Sequence, residues 1–216
     1  MRTAKTILTV IQERGKQKKP IERVYKLLFN RELYLNAYAK LYPNNGAMTK
    51  GVTDETVDGM SIQKIDRMIE ILREEKYQWK PARREYIKKK NGKKRPLGIP
   101  VWGDKVLQEV MRQILEAYYE PQFSEHSHGF RPNRGCHTAL QEIQVWKGTR
   151  WFIEGDISQY FDTIDHKILL EILARNIHDG RFIRLVSNML EAGYLEEWKF
   201  NQTISGVPQG GVISPI

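Results

Sequence analysis

The sequence WFIEGDISQYFDTIDH, residues 151–166, contains the alternating pattern that decides the fold. Its first half has the period of a half-buried strand, with one face carrying Trp151, Ile153, Gly155 and Ile157 and the other Phe152, Glu154 and Asp156. A turn then leads into a helix that opens near Asp162 and Asp165. A carboxylate at the end of a strand is a common place for a metal ligand, and its hard oxygen suits Mg²⁺. We therefore predict Asp156 as a metal ligand.

The other two acids of this stretch have a simpler interpretation. Asp162 is expected to cap the following helix, and Asp165, three residues later, would complete a capping-box-like pair. We favour this interpretation over metal ligation for both residues. Asp156 precedes the turn and caps nothing obvious.

The stretch resembles motif A of the reverse transcriptases encoded in group II introns. The hydrophobic strand, the Asp-Ile-x-x-aromatic-Phe-Asp core and the trailing Ile-Asp-His all match. The resemblance extends from about residue 20 to the last residue and includes four further blocks in the family's order. It implies an α+β fold, a right-hand polymerase with fingers and a partial palm, in which packed helices back an antiparallel palm sheet.

Composition narrows the class of protein independently. The 216 residues allow one or two domains, and 40% hydrophobic and 28% charged residues are typical of a globular protein. No apolar run approaches the ~20 residues of a membrane span. Cys136 is the single cysteine, which excludes an internal disulfide and indicates a reducing compartment. The net charge of +9 favours a polyanionic partner, usually nucleic acid, over a merely basic protein.

The N-terminal third divides into two predicted regions. Residues 1–20 are expected to be a basic N-terminal tail or a plain helix, and residues 21–78 an extension of helices and one long loop. The loop, residues 43–61, has a Gly-Ala…Gly-Val…Asp-Gly pattern. This pattern resembles the N-terminal extension of the same family, whose loop lies against template and primer.

Residues 79–145 are predicted as the fingers. Asn91-Gly92 lies between strand-like arms and predicts a β-hairpin with a type I′ turn. Six of the eight residues 88–95 are Lys or Arg, which favours contact with phosphates over a solvated charged turn. RNA contacts are therefore expected at Lys88, Lys90, Lys93 and Lys94. The resemblance to the family's fingers hairpin implies that Lys89 and Arg95 contact the incoming triphosphate.

Two interpretations compete for the turn that follows the next helix, for which Asp104 is the expected N-cap. A zinc site could use His126, His128, Cys136 and His137, but their spacing matches no common zinc pattern. The favoured alternative is a recognition turn, because Gly-Phe-Arg-Pro at residues 129–132 resembles the family block that links fingers to palm. Arg131 and Arg134 would then face RNA or brace the palm.

Residues 146–216 are predicted as a partial palm. Two helices follow motif A, the second capped by Asp179, and an extended or hairpin segment covers residues 194–205. The block GVPQGGVISPI, residues 206–216, resembles motif B, in which Gln209 and Gly210 would border the nucleotide pocket. A simple turn into a core helix is the alternative. The final apolar residues open a helix that does not develop, so we expect a partial chain.

The resemblance also implies the chemistry. Polymerisation would use two Mg²⁺ ions held by the carboxylate of Asp156, the backbone carbonyl of Ile157 and a pair of adjacent aspartates, with Phe161 beside the deoxyribose. No Asp-Asp dipeptide occurs in the sequence. The ligand set would thus be incomplete, and we expect this chain alone to bind RNA without polymerising.

The predicted function is RNA-directed DNA polymerase of a group II intron, which copies RNA into cDNA and binds intron RNA for splicing and mobility. The implied partners are intron RNA, an RNA template with a DNA primer, and deoxynucleoside triphosphates, with a homodimer left open. The expected location is a bacterial cytoplasmic ribonucleoprotein, or an organellar matrix. The main alternative is a maturase that binds intron RNA without polymerising. A retron or CRISPR-associated reverse transcriptase and a metal-dependent nuclease are weaker alternatives.

Overall fold

The structure is a computed structural model that describes residues 2–88, 92, 94–203, 205–207 and 211–214. Its α-helices are α1 Ala4–Lys16, α2 Arg31–Leu41, α3 Ile62–Arg73, α4 Trp102–Tyr119, α5 Cys136–Gln144, α6 Tyr160–Thr163, α7 His166–Ala174 and α8 Gly180–Leu190. Its strands are β1 Ile21–Glu22, β2 Ala82–Lys88, β3 Lys94–Ile99, β4 Ile177–His178, β5 Tyr194–Glu196 and β6 Lys199–Asn201. Short 3₁₀ helices cover Val24–Phe29, Val57–Gly59 and Glu120–Gln122. The predicted α+β class is confirmed.

Helix α4 lies at the centre of the apolar core. Its side chains are buried around most of its circumference, including Val106, Val110 and Ile114, as expected of a helix covered on several sides. Helices α1 and α2 pack against it. The crossing with α1 is close, because a Cβ atom at Gly15 would lie 2.1 Å from the carbonyl oxygen of Tyr118.

Of the tail and the plain helix considered for residues 1–20, the structure has the helix, α1. Thr3 caps this helix by accepting a hydrogen bond from the Thr6 backbone, and Ala4 and Ile11 are buried in the core. Packing against α4 stabilises the helix.

The described strands form a mixed four-stranded sheet in the order β3-β2-β5-β6 and a separate parallel pair, β1-β4. The predicted hairpin is confirmed, since β2 and β3 are antiparallel with Lys88 paired to Lys94. Residues 89–91 and 93 lie outside the described residues, so the type I′ turn remains a prediction. Strand β5 pairs in parallel with β2 and in an antiparallel hairpin with β6.

Of the four helix caps predicted from the sequence, the structure confirms two and corrects two. Asp165 accepts from the Ile168 backbone and caps α7, and Asp179 caps α8 as predicted. Asp162 lies inside α6 and caps no helix. Helix α4 begins after Val101, not at Asp104. The Asp104 carboxylate is buried and binds groups distant in sequence, which local capping rules do not describe.

The strand predicted over residues 151–157 is wrong in this structure. The segment is irregular, and the side chains of Trp151, Phe152, Ile153 and Ile157 are exposed. An extended segment becomes a strand only when a neighbouring strand takes its backbone hydrogen bonds. No strand pairs with residues 151–157 in the described part of the chain. The predicted antiparallel palm sheet is therefore not formed there.

Within the described residues, no helix is both long and apolar enough to cross a membrane.

Candidate nucleic-acid and nucleotide site

Two segments that were singled out separately in the sequence meet at a backbone junction. The Val207 N–H donates to the Phe161 carbonyl over 2.7 Å, and the Gly206 N–H donates to the Ile164 carbonyl over 2.8 Å. The His166 Nε2 atom lies 2.6 Å from the Gly206 carbonyl oxygen. These bonds join the end of the motif A segment to the start of the motif B segment. We call the contact between residues 161–166 and 206–207 the junction.

Glycine is required at the centre of the junction. Gly206 has a φ of +80°, a left-handed conformation that other residues seldom adopt. A Cβ atom there would lie 2.7 Å from the Phe161 carbonyl oxygen and 2.8 Å from that of Asp162. Both the backbone conformation and the close approach therefore exclude a side chain.

The predicted metal ligands, Asp156 and Ile157, are both exposed and lie just before α6. The Asp156 carboxylate and a backbone carbonyl are hard oxygen donors, which suit Mg²⁺. Among the described residues, no group of three His, Cys, Asp or Glu side chains is arranged to hold a metal ion. The donor chemistry therefore fits Mg²⁺ in type, and one carboxylate is too few to bridge two ions.

Phe161 follows these donors in the sequence and is the first residue of the junction. Its side chain is half-buried, and its ring meets that of Tyr160 edge-on at 5.6 Å between centroids. The carbonyl of Phe161 is fixed by Val207, so the residue that was predicted beside the sugar is anchored through its backbone.

The residues predicted to contact RNA and the triphosphate lie on two different faces of the β2-β3 hairpin. Paired residues of antiparallel strands share a face, so Lys88 and Lys94 lie on one side and Arg95, paired with Ile87, on the other. Lys88, Lys94 and Arg95 are exposed. The remaining predicted contacts, Lys89, Lys90, Lys93, Gln209 and Gly210, lie outside the described residues.

Arg131 is held by the protein itself. Its guanidinium donates to both carboxylate oxygens of Glu120 and, over 2.7 Å each, to the carbonyls of Ser124 and Ser127. The side chain is only 9% exposed and stacks over Phe123. This geometry favours the bracing alternative over the predicted RNA contact. Arg134 also bonds within the turn, to the carbonyl of Glu125.

The histidines of this turn bind a carboxylate instead of forming the zinc site considered above. His126 Nδ1 and His128 Nε2 both contact Glu142 of α5, and His128 Nδ1 contacts Thr138. The hydrogen bonds from His128 and then His126 lower the pKa of Glu142. The turn is therefore bound to α5 through its two histidines and to Glu120 through Arg131.

The long loop of residues 43–61 is held against the base of the hairpin. Arg83 of β2 donates two hydrogen bonds to the Lys50 carbonyl, and Lys105 of α4 donates to the Thr49 carbonyl over 2.9 Å. A Cβ atom at Gly51 would lie 2.8 Å from the Val101 nitrogen. The loop, the hairpin base and α4 therefore form one continuous surface.

Sequence reasoning missed two residues that organise this region. Asp104 is buried and accepts hydrogen bonds from the Tyr77 hydroxyl over 2.6 Å and the Lys80 N–H over 3.0 Å. Burial raises the pKa of Asp104 to about 6, against the lowering effect of these two bonds. His166 is the second, through its contact with Gly206. Both contacts are nonlocal, and the sequence carries no signal for them beyond residue type.

A cavity of about 160 Å³ lies behind the junction. Its lining is largely apolar and includes Tyr160, Ile164 and Val207, with Asp104 and Gln108 as polar members. The Gln108 side-chain oxygen accepts a 3.0 Å hydrogen bond from the Val212 N–H. The motif B segment is therefore fixed to α4 as well as to the junction.

Comparison with known proteins agrees with these observations. The sequence model of the family described as reverse transcriptase (RNA-dependent DNA polymerase) matches residues 87–216. The group II intron-encoded protein LtrA of Lactococcus lactis subsp. cremoris is 50% identical over 196 residues, which cover 90% of this chain and 33% of that protein. An uncharacterized 91 kDa protein in the cob intron of Schizosaccharomyces pombe is 46% identical over 221 residues, covering 99% of this chain and 27% of that protein.

A more distant relative is named as a maturase. Nuclear intron maturase 1, mitochondrial, of Arabidopsis thaliana is 36% identical over 93 residues, or 43% of this chain and 13% of that protein. The chain spans a third or less of the length of these three relatives. The family match covers more than half of the chain, from β2 to the last residue. The chain belongs to the reverse transcriptase family, and within it to the group of intron-encoded reverse transcriptases and maturases.

Proposed function

We propose that the full-length protein carrying this chain is an RNA-directed DNA polymerase of a group II intron, which copies RNA into cDNA and binds intron RNA. The observation that carries the proposal is the junction. The Val207–Phe161 and Gly206–Ile164 bonds bring the two motif segments into register, and both lie inside the matched region. Nucleotide selection and metal binding need these segments side by side.

Each residue proposed to take part in polymerisation has a separate role. When bound, Mg²⁺ supplies charge stabilisation of the attacking and leaving oxygens in phosphoryl transfer. The Asp156 carboxylate and the Ile157 carbonyl would hold it. Phe161, fixed by its backbone bond to Val207, would limit the space beside the sugar. Arg95 would meet the triphosphate from the face of the hairpin opposite Lys88.

The hairpin and the long loop would bind the polyanionic partners. Lys88 and Lys94 are exposed on one face of β2 and β3, where fixed positive charge attracts phosphates. The loop of residues 43–61 is held by Arg83 and Lys105 at the base of the same hairpin. Intron RNA and a template–primer pair are the proposed occupants, in a bacterial or organellar ribonucleoprotein.

The test is primer extension by the full-length protein that carries this chain. An RNA template, an annealed DNA primer, deoxynucleoside triphosphates and Mg²⁺ should yield extended primer. The similarity to a nuclear intron maturase supports a second candidate, an RNA-binding splicing factor. That candidate predicts binding and splicing of intron RNA with no extension, so the two assays on one preparation separate them.

Residues 1–216 alone are proposed to bind RNA without extending a primer. Phosphate binding needs only fixed positive charge. Two-metal catalysis needs more carboxylates than Asp156 provides. Extension by the 216-residue chain alone would contradict this division of roles.

A further inference from the structure

The four-stranded sheet has two faces of different chemistry. Side chains alternate along a strand, and paired residues share a side. The registers Lys88↔Lys94, Ala82↔Tyr194 and Glu196↔Lys199 therefore define one face, here called the cationic face, which carries Arg84, Tyr86, Lys88, Lys94, Tyr194 and Lys199. The same registers place Ile87, Leu97, Leu195 and Phe200 on the opposite, more apolar face.

Contacts within the cationic face fix its aromatic rings. The Arg84 guanidinium lies 3.4 Å from the centroid of the Tyr194 ring, and the Lys94 amine lies 5.9 Å from that of Tyr86. Glu196 shares the face and accepts a hydrogen bond from the Tyr86 hydroxyl. The face therefore combines ordered tyrosines with cations that outnumber this carboxylate.

Trp198 lies in the turn that joins β5 to β6, and its backbone has a conformation that bulky residues rarely adopt. It forms the two-residue loop between β5 and β6 with Glu197, and φ is +48° at Glu197 and +64° at Trp198. Positive φ at both positions is the pattern of a type I′ turn, where Asn-Gly is usual and a bulky residue is strained. The Trp198 side chain is 90% exposed and buries little apolar area. A strained, exposed tryptophan is a reason to look for a ligand.

We propose that the cationic face and Trp198 form a platform for single-stranded RNA. The Trp198 ring would stack on an unpaired base, and Arg84, Lys88, Lys94 and Lys199 would follow the phosphates. Alternating cations and exposed rings suit a single strand, because its bases can unstack and turn toward aromatic side chains. An A-form duplex keeps its bases inside and offers only phosphates and sugars.

This inference rests on the proposed RNA-binding function and adds a site to it. The platform extends the hairpin by a second one, β5-β6, and contains none of the groups assigned to chemistry. Asp156 and Phe161 lie outside the sheet, and Arg95 points to its opposite face. The platform therefore predicts RNA contacts that survive the loss of catalytic groups.

The experiment measures binding of residues 1–216 to a labelled single-stranded oligouridylate and to a fully paired RNA hairpin across a salt series. Trp198→Gly is the main variant, because glycine removes the ring and accepts the positive φ. We expect affinity for the single strand to fall about five-fold or more, the loss of one stacked base. The melting temperature should stay the same or rise.

Matched variants separate the platform from general charge. Trp198→Tyr keeps a ring and should retain most of the affinity, and Lys199→Gln should reduce the log–log salt slope by about 0.7. Phe200→Ala changes the neighbouring residue, which is 60% exposed on the opposite face, and should leave binding unchanged. Lys76→Gln removes an equal charge from the exposed Lys76–Glu74 pair and should also have no effect.

Three results would overturn the proposal. If Trp198→Gly and Lys199→Gln bind like the wild type while the wild type shows salt-dependent binding, the platform is wrong and the proposed function stands. If both variants lose duplex and single strand equally, the single-strand assignment is wrong. If the folded chain binds no RNA at all, both the platform and the RNA-binding part of the proposed function are wrong.

Discussion

The backbone carbonyl of Phe161 and the backbone N–H of Val207 form a 2.7 Å hydrogen bond. This bond, with the neighbouring one between Gly206 and Ile164, closes the motif B segment onto α6. The position of the Phe161 ring thus depends on residues far along the chain. The first two predictions follow from this dependence.

Gly206→Ala should open the junction. The added Cβ would lie 2.7 Å from the Phe161 carbonyl oxygen, and alanine would be held at a φ of +80°. A non-glycine residue in such a conformation costs about 1–3 kcal/mol. Urea denaturation should show a loss of about that size.

Gly46→Ala is the control for this change. No atom lies within 4 Å of a Cβ built at Gly46, and its φ is not in the left-handed region. Its stability should match the wild type or rise slightly. Equal effects of the two substitutions would contradict the role given to Gly206.

Phe161→Ala should relax discrimination between sugars in the full-length protein. The ring is anchored beside the junction, and its removal would make room for a 2′-hydroxyl. Ribonucleotide incorporation during primer extension should rise relative to deoxyribonucleotide incorporation. If the variant melts earlier but discriminates as the wild type does, the ring is only a packing residue.

Arg131→Lys should lower stability while leaving RNA binding unchanged. Lysine keeps the charge but lacks the fork that bonds Glu120 and the two serine carbonyls. Loss of charge-assisted bonds at a buried site costs about 1.5–3 kcal/mol. Arg134→Lys is the matched control and should have a smaller effect. If the Arg131→Lys protein melts at the wild-type temperature but binds RNA more weakly, Arg131 is an RNA contact after all.

Asp104 should make stability depend on pH. Burial raises its pKa from 3.8 to about 6, so the folded state keeps a proton that the unfolded state has already released. Stability should therefore fall as pH rises from about 4 to about 6, and the loss should persist above that window. A shift of this size corresponds to about 3 kcal/mol.

Asp104→Asn supplies the comparison, because asparagine does not titrate. Denaturation curves at pH 4 and pH 6.5 give the change in unfolding free energy for each protein. The wild type should lose more stability across this interval than the variant. The same loss in both would show that other groups carry the pH dependence.

Local signals in the sequence predicted the elements that depend on near neighbours. Asn91-Gly92 between strand-like arms predicted the β2-β3 hairpin, and Asp179 before an amphipathic segment predicted the start of α8. In each case the deciding hydrogen bonds join residues close in sequence. Such features can be read without knowing the rest of the fold.

Features that depend on distant partners could not be predicted in the same way. The alternation of residues 151–157 indicates a strand, but a strand also needs a neighbour, and sequence alone does not supply one. Asp104 looked like a cap because its partners, Tyr77 and Lys80, are separated from it in the sequence by the whole β2-β3 hairpin. Trp198 gave no signal until its backbone conformation and exposure were known.

The role of Asp156 as a metal ligand is tested by primer extension with the full-length protein carrying Asp156→Asn. The substitution removes the proposed metal ligand from an exposed position, so folding and RNA affinity should stay near wild type. Asp165→Asn is the control, because asparagine still caps α7. Asp156→Asn should abolish cDNA synthesis, whereas Asp165→Asn should retain it. Extension by the Asp156→Asn protein at a near wild-type rate would show that Asp156 is not a ligand of the catalytic metal.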